Sequence, residues 1–141
     1  MNYFKNAANT QLTPLAIMLL TDQTRHDATQ LGESLHYATE SEVFIANNLD
    51  QARQLLAERP FIALVCDIKI GNLWTTTLLQ EFGEALREAG TRILVMSSDE
   101  GHRQPAAQAG ANVFMLKPVS DTTLLTLVKG MLHTPHLFNS N

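Results

Sequence analysis

Five short apolar runs recur along the chain: LAIMLL (15–20), EVFIA (42–46), FIALVC (61–66), RILVM (92–96) and NVFML (112–116). They are nearly continuous rather than strictly alternating, the pattern of strands buried on both faces in a parallel sheet. Between them the apolar positions are spaced for helices. RHDATQLGESLHYA sets Ala28, Leu31, Leu35 and Ala38 on one side. NLDQARQLLAERP opens with Asn48 and Gln51, a capping-box-like pair, and stops at Pro60. TTTLLQEFGEALREAG predicts one helix with Leu78, Leu79, Phe82 and Leu86 inward and Gly90 as its C-terminal cap. HRQPAAQAG predicts a short helix with Pro105 in its first turn, and SDTTLLTLVKGMLH a helix capped by Ser120. Five strand–helix units in alternation predict a doubly wound α/β domain with five parallel strands in the order 2-1-3-4-5.

Composition changes this picture little. The chain has 141 residues, 45% hydrophobic and 17% charged, enough for one domain with a real core. No basic stripe accompanies the net charge of −4, so nucleic acid is not expected as a direct partner. The longest wholly apolar run, six residues at 15–20, is far too short to span a membrane. No apolar segment precedes Pro14, so a signal peptide is not expected, and a cytoplasmic location fits. The single cysteine, Cys66, excludes an internal disulfide and reads as an inert buried thiol. His26, His36, His102, His133 and His136 are scattered without ligand spacing, so no zinc or copper site is expected. The predicted boundaries are an extension at 1–13, a domain at 14–133 and a tail or linker start at 134–141.

In a doubly wound sheet, ligands bind beyond the carboxyl ends of the strands. Thr21-Asp22 follows the first strand, Asp67 the third, Ser97-Ser98 the fourth and Lys117-Pro118 the fifth. Two carboxylates, a hydroxyl and an ammonium therefore converge on one edge.

Those residues carry a resemblance. RILVMSSDEGHRQPAAQAGANVFMLKP resembles the response-regulator receiver domain of two-component signalling, in which a strand ending in Ser/Thr is followed by A-x-x-A-G-A and an apolar strand closed by Lys-Pro. IALVCDIKI resembles that family's phosphoacceptor strand, and the likeness covers roughly residues 15–132. It implies a flavodoxin-like receiver fold and a signalling module rather than an enzyme. Asp67 would accept the phosphoryl group, with Ser97 as the switch hydroxyl and Lys117 as the phosphate-pairing lysine. Asp22, Asp67 and the backbone carbonyl of Lys69 would hold Mg2+. Phe114 falls at the family's switch aromatic, although ordinary core packing would explain it equally. The implied partners are a histidine kinase or phosphotransfer protein. A homodimer or effector would bind through the fourth helix, fifth strand and fifth helix.

The chain departs from the family pattern at four places. Thr21 stands where the family has a second acid, which leaves metal binding weak. Gly71 replaces a proline, and Trp74-Thr75 replace Asp-Gly. The connection before PAAQAG is about two residues short. The Lys69 ammonium either points into water or folds back onto Asp67, and Trp74 either covers the site or core or presents an anchor to a partner. Two further readings stay open: a pseudo-receiver that binds partners without phosphorylation, and an unrelated flavodoxin-like binding domain. Against the latter, no Gly-rich phosphate loop follows the first strand.

Overall fold

Each of the five apolar runs forms a strand in the computed structural model of the chain, which describes residues 15–133. β1 (Ala16–Leu20), β2 (Glu42–Ala46) and β3 (Ala63–Asp67) precede a small hairpin, β4 (Lys69–Ile70) and β5 (Leu73–Trp74), followed by β6 (Arg92–Ser97) and β7 (Val113–Leu116). The helices are α1 (Arg25–Thr39), α2 (Leu49–Glu58), α3 (Thr75–Glu81), α4 (Gly83–Ala89), α5 (Arg103–Gln108) and α6 (Asp121–His133). The main sheet is parallel throughout, in the order β2-β1-β3-β6-β7. With the hairpin strands left out of the count, this is the expected order 2-1-3-4-5. The predicted extension at 1–13 and tail at 134–141 lie outside the described residues.

The continuous apolar runs are explained by two-sided burial. Met18, Leu20, Leu64, Cys66, Ile93 and Val95 face the layer of α2 to α5, where Ala52, Leu78, Leu79, Leu86 and Ala106 meet them. Their sequence neighbours Ile17, Leu19, Val65, Leu94 and Met96 face α1 and α6 and pack on Leu35, Leu124, Val128 and Met131. The three central strands β1, β3 and β6 need no polar face, whereas the edge strand β2 leaves Glu42 and Ile45 exposed.

Local signals act much as their chemistry suggests. Asn48 Oδ1 accepts from Gln51 N–H at 2.8 Å, while the Gln51 side chain bonds the backbone N–H of Asn47, one residue before the cap. Ser120 Oγ accepts from Thr123 N–H at 3.1 Å. Gly90 ends α4 in the left-handed region at φ 70°.

One expectation is corrected, and one stretch gains a structure. The segment read as one helix from Thr75 to Ala89 is divided at Phe82 into α3 and α4. Gly83, a poor helix former, follows the break, and Phe82 leaves ideal helical geometry at φ −103°, ψ 13°. The stretch after Asp67, where Gly71 and Trp74-Thr75 replace the family's usual turn residues, forms the β4–β5 hairpin. Ile68 and Ile70 are buried while Lys69 and Gly71 are exposed, a two-residue period that drives pairing, and Gly71 supplies φ 62° at the turn.

Leu64 is fully buried in the sheet centre, and Leu64→Ala is expected to cost about 2–5 kcal/mol. Loss of the exposed cap in Asn48→Ala is expected to cost only about 1 kcal/mol. Urea unfolding of both variants checks the ranking, and equal midpoints would contradict it.

Candidate functional site

Parallel strands bring their carboxyl ends to one edge, and the predicted residues meet there. Asp67 is the last residue of β3, Ser97 ends the neighbouring β6, and Lys117 follows β7. The Lys117 N–H donates to the Ser97 carbonyl at 2.7 Å, which locks the last two strand ends together. The Lys117–Pro118 peptide is cis. Asp67, Lys69, Ser97 and Lys117 line one cleft of about 210 Å3, together with Asp99 and His102. A larger groove of about 550 Å3 beside it shares Lys117 and Ser98, but Asp67 lines the smaller one.

Asp67 is only 2% exposed, and its compensation comes from both sides. Thr21 Oγ1 donates to Oδ2 at 2.7 Å, and Thr21 in turn accepts from Gln23 N–H at 3.1 Å. The Lys117 ammonium lies 2.8 Å from Oδ1. That contact neutralises the buried charge, and Lys117 is the one protein group facing Oδ1 among the described residues. The Asp67 carbonyl accepts from Thr75 Oγ1 at 2.6 Å, which ties the strand end to the start of α3. Asp67's charge and, more strongly, burial push the neighbouring Cys66 thiol well above its ordinary range.

The remaining predicted residues divide. Asp22 is exposed at the same edge, where its Oδ2 accepts from Gly71 N–H at 3.1 Å and so holds the hairpin turn. The Lys69 ammonium neither pairs with Asp67 nor stands alone in water; it lies over the Trp74 ring, 4.9 Å from the centroid. Trp74 is 41% exposed, and its ring meets His102 edge-on at 5.1 Å. Phe114 is 7% exposed, inside the core, with the Arg103 guanidinium 4.8 Å from its ring centre.

His102 is a residue that sequence reasoning missed. Its Nδ1 lies 2.7 Å from Ser97 Oγ, and a 3-10 turn at Glu100–His102 brings it there. The available signal was the shortened connection itself, since a histidine five residues beyond Ser97 in so tight a loop must turn back. Thr21 was seen as a substitution, but its direct bond to Asp67 was not foreseen.

The oxygens present suit a hard divalent cation. Mg2+ needs only one or two carboxylates and retains several waters. Asp67 lines the cleft and Asp22 is solvent-facing, so two carboxylates are on hand. No cluster of three or more His, Cys, Asp or Glu side chains forms a candidate metal site among the described residues. The donor set therefore fits Mg2+ while being sparse.

With this geometry in hand, the chain can be set beside known proteins. The sequence profile of the response regulator receiver domain matches residues 18–129, most of the chain. The chain belongs to that family, the receivers of two-component signalling, and is not an unrelated flavodoxin-like binding domain. No curated protein matches significantly. Among solved structures, a response regulator from Burkholderia pseudomallei with a phosphorylated aspartic acid, calcium ion and citrate is 22% identical, with a TM-score of 0.69. That alignment covers 79% of this chain and 65% of the other, so the chain spans about two thirds of that relative's length. The Vibrio cholerae chemotaxis response regulator CheY4 is 17% identical with a TM-score of 0.72, covering 85% of this chain and all of that one. Response regulator DrrB of Thermotoga maritima, an OmpR/PhoB homologue, is 20% identical with a TM-score of 0.71, covering 85% and 53%. At these identities the likeness describes the fold. No described helix is long and apolar enough to cross a membrane.

Two measurements probe this edge. Thr21→Val keeps the shape but leaves Oδ2 without its donor, and is expected to destabilise by about 1–3 kcal/mol in urea unfolding. A raised folded-state thiol pKa stabilises fully below the unfolded value of about 8.5, and that stability is lost as pH rises above it. Cys66 should thus remove up to about 1.4 kcal/mol per pH unit above about pH 9. Cys66→Ala, although less stable at neutral pH, should show the shallower alkaline decline; parallel declines would contradict this.

Proposed function

We propose that this chain is a phosphoacceptor receiver in which Asp67 takes a phosphoryl group from a phosphohistidine of a histidine kinase or phosphotransfer protein. The observation that carries the reading is the buried Asp67 carboxylate, which lines the cleft with its Oδ1 2.8 Å from the Lys117 ammonium. Oδ1 attacks phosphorus, and the bond from phosphorus to the donor imidazole nitrogen breaks. Its electron pair stays on that nitrogen, which takes up a proton, and Asp67 becomes an acyl phosphate. Lys117 neutralises charge on the transferring group. Thr21 holds Oδ2 and so fixes the carboxylate's orientation. Ser97 is the hydroxyl that answers the new charge. Mg2+, held by Asp22, Asp67 and the Lys69 carbonyl, supplies further neutralisation when bound. The phosphorylated aspartic acid and calcium ion of the Burkholderia relative support this assignment.

The response would be read on the face of α5, β7 and α6, where Leu116 is 46% exposed and Leu125 and Leu127 are half-buried. A second copy or an effector would bind there. We assign residues 14–133 to the receiver unit and place it in the cytoplasm, where such kinases present their phosphohistidine.

A second reading has its own observation. The Thr21 hydroxyl occupies Oδ2, and Asp22 holds Gly71, so both carboxylates already have structural work. A pseudo-receiver would keep this network and bind partners without phosphate.

Acetyl phosphate with Mg2+, followed by intact-protein mass spectrometry, separates the two. One slow phosphoryl adduct that requires high Mg2+ is expected, and none in Asp67→Ala. Thr21→Asp restores a negative charge near the metal. At an effective dielectric near 20, charges about 5 Å apart interact by roughly 3 kcal/mol, and a third of that tightens Mg2+ several-fold. Lys69→Ala should tighten it less, because that ammonium is engaged by Trp74. No adduct even in Thr21→Asp with Lys69→Ala leaves the pseudo-receiver in place.

A further inference from the structure

We propose that His102 is a positioning residue that holds the Ser97 hydroxyl, so that Ser97 reaches a phosphoryl group on Asp67 only by releasing His102. The inference rests on the reading of Asp67 as phosphoacceptor. A serine hydroxyl has one hydrogen to donate and two lone pairs to offer. Asp99 N–H donates to Ser97 Oγ at 3.0 Å. Two acceptors compete for the hydrogen: His102 Nδ1 at 2.7 Å and the Asp99 carbonyl at 3.3 Å. The Asp99 carboxylate, 3.7 Å from His102 Nε2, favours the tautomer with the ring hydrogen on that nitrogen, and we assign Nδ1 as the acceptor on that ground. Ser97 therefore gives its hydrogen to His102. In that state the hydroxyl presents only lone pairs, which repel a phosphoryl oxygen.

The imidazole is held on its far side as well. The Trp74 ring packs edge-on against it at 5.1 Å, and the Lys69 ammonium covers Trp74. The His102 backbone N–H donates to the Asp99 carbonyl at 3.1 Å and fixes the turn. Lys69 and Trp74 come from the hairpin after Asp67, and His102 from the shortened connection after Ser97. Two departures from the family pattern thus meet in one contact chain along the rim of the Asp67 cleft. Release of Ser97 frees the imidazole from its strongest partner and changes the surroundings of Trp74.

Beryllofluoride with Mg2+, a phosphoryl mimic, tests this by titration. Trp74 is the chain's single tryptophan, so its fluorescence reports the latch directly, and fluorine NMR counts bound beryllofluoride independently. His102→Phe keeps an aromatic edge for Trp74 but has no nitrogen to accept from Ser97. It is expected to tighten beryllofluoride about two- to tenfold, the worth of one net hydrogen bond. His102→Asn, whose side-chain carbonyl stands near the place of Nδ1, should retain wild-type affinity. In a Ser97→Ala background, His102→Phe should change nothing. His102→Leu replaces the Phe variant if thermal unfolding shows that Phe does not fold. Wild-type affinity in the Phe variant, loss of distinction between Asn and Phe, or an undiminished effect without Ser97 each overturns the latch while leaving Asp67 as acceptor. Binding seen in His102→Phe and not in wild type supports it. Absence of bound beryllofluoride in both overturns the phosphoacceptor reading and the latch with it.

Discussion

Asp67 is 2% exposed, and an ionised carboxylate so far from water is tolerable only with compensation within reach. That constraint explains much of the sheet's edge. Thr21 reaches Asp67 from the end of β1, and Lys117 reaches it from beyond β7, across the intervening β6. Both can do so only if β3 lies between β1 and β6 with all strands pointing the same way. Register matters equally. A slip of one residue would turn Asp67 to the opposite face and leave the Lys117 ammonium without its partner. The pairing of Asp67 with Met96, and of Ser97 with Leu116, is thus part of the site's electrostatics as well as of the sheet.

Threonine at position 21 alters that electrostatics in a specific way. A carboxylate there would add negative charge beside a buried negative charge, a repulsion that a divalent ion relieves. A hydroxyl removes the repulsion and adds a donor, so Asp67 is stabilised by protein groups alone. The same bond makes Oδ2 a poorer metal ligand, because a lone pair is already committed. Greater independence from metal in the resting state and weaker attraction for metal are one physical fact. The other oxygen, Oδ1, faces the Lys117 ammonium instead.

The fold was largely legible because its signals are collective. Five continuous apolar runs alternating with helical spacing admit few topologies, and the order and spacing of strand-end residues assembled the site around Asp67, Ser97 and Lys117. What escaped depends on short-range geometry. The break at Phe82 turns on one glycine inside an otherwise good helical pattern. The β4–β5 hairpin was hidden because two-residue strands carry almost no periodicity, although Ile68 and Ile70 did alternate with Lys69 and Gly71. The Lys69 side chain was read as pointing into water or folding onto Asp67, and it does neither because the turn at Gly71 places Trp74 opposite it. His102 was passed over because histidines were judged by metal-ligand spacing, which asks nothing about a neighbouring hydroxyl.

The contacts around the cleft differ in strength in a way that orders their behaviour. The Asp67–Lys117 pair joins two full charges, one of them buried, and breaking it would strand that charge at a cost of several kcal/mol. The Ser97–His102 bond joins neutral groups and is worth about 0.5–1.5 kcal/mol net. A hydrogen bond from Ser97 to a charged phosphoryl oxygen is worth about 1.5–3 kcal/mol. The exchange of one for the other would therefore run downhill by roughly 1 kcal/mol, about a fivefold preference. Under the proposed reading, a preference of that size would let added phosphate move the hydroxyl, and let its loss return the hydroxyl to His102. Were the resting contact as strong as the Lys117 pair, Ser97 could not respond. Were it absent, Ser97 would have little to distinguish its two states. The strong interaction fixes where charge sits, and the weak one leaves room for change.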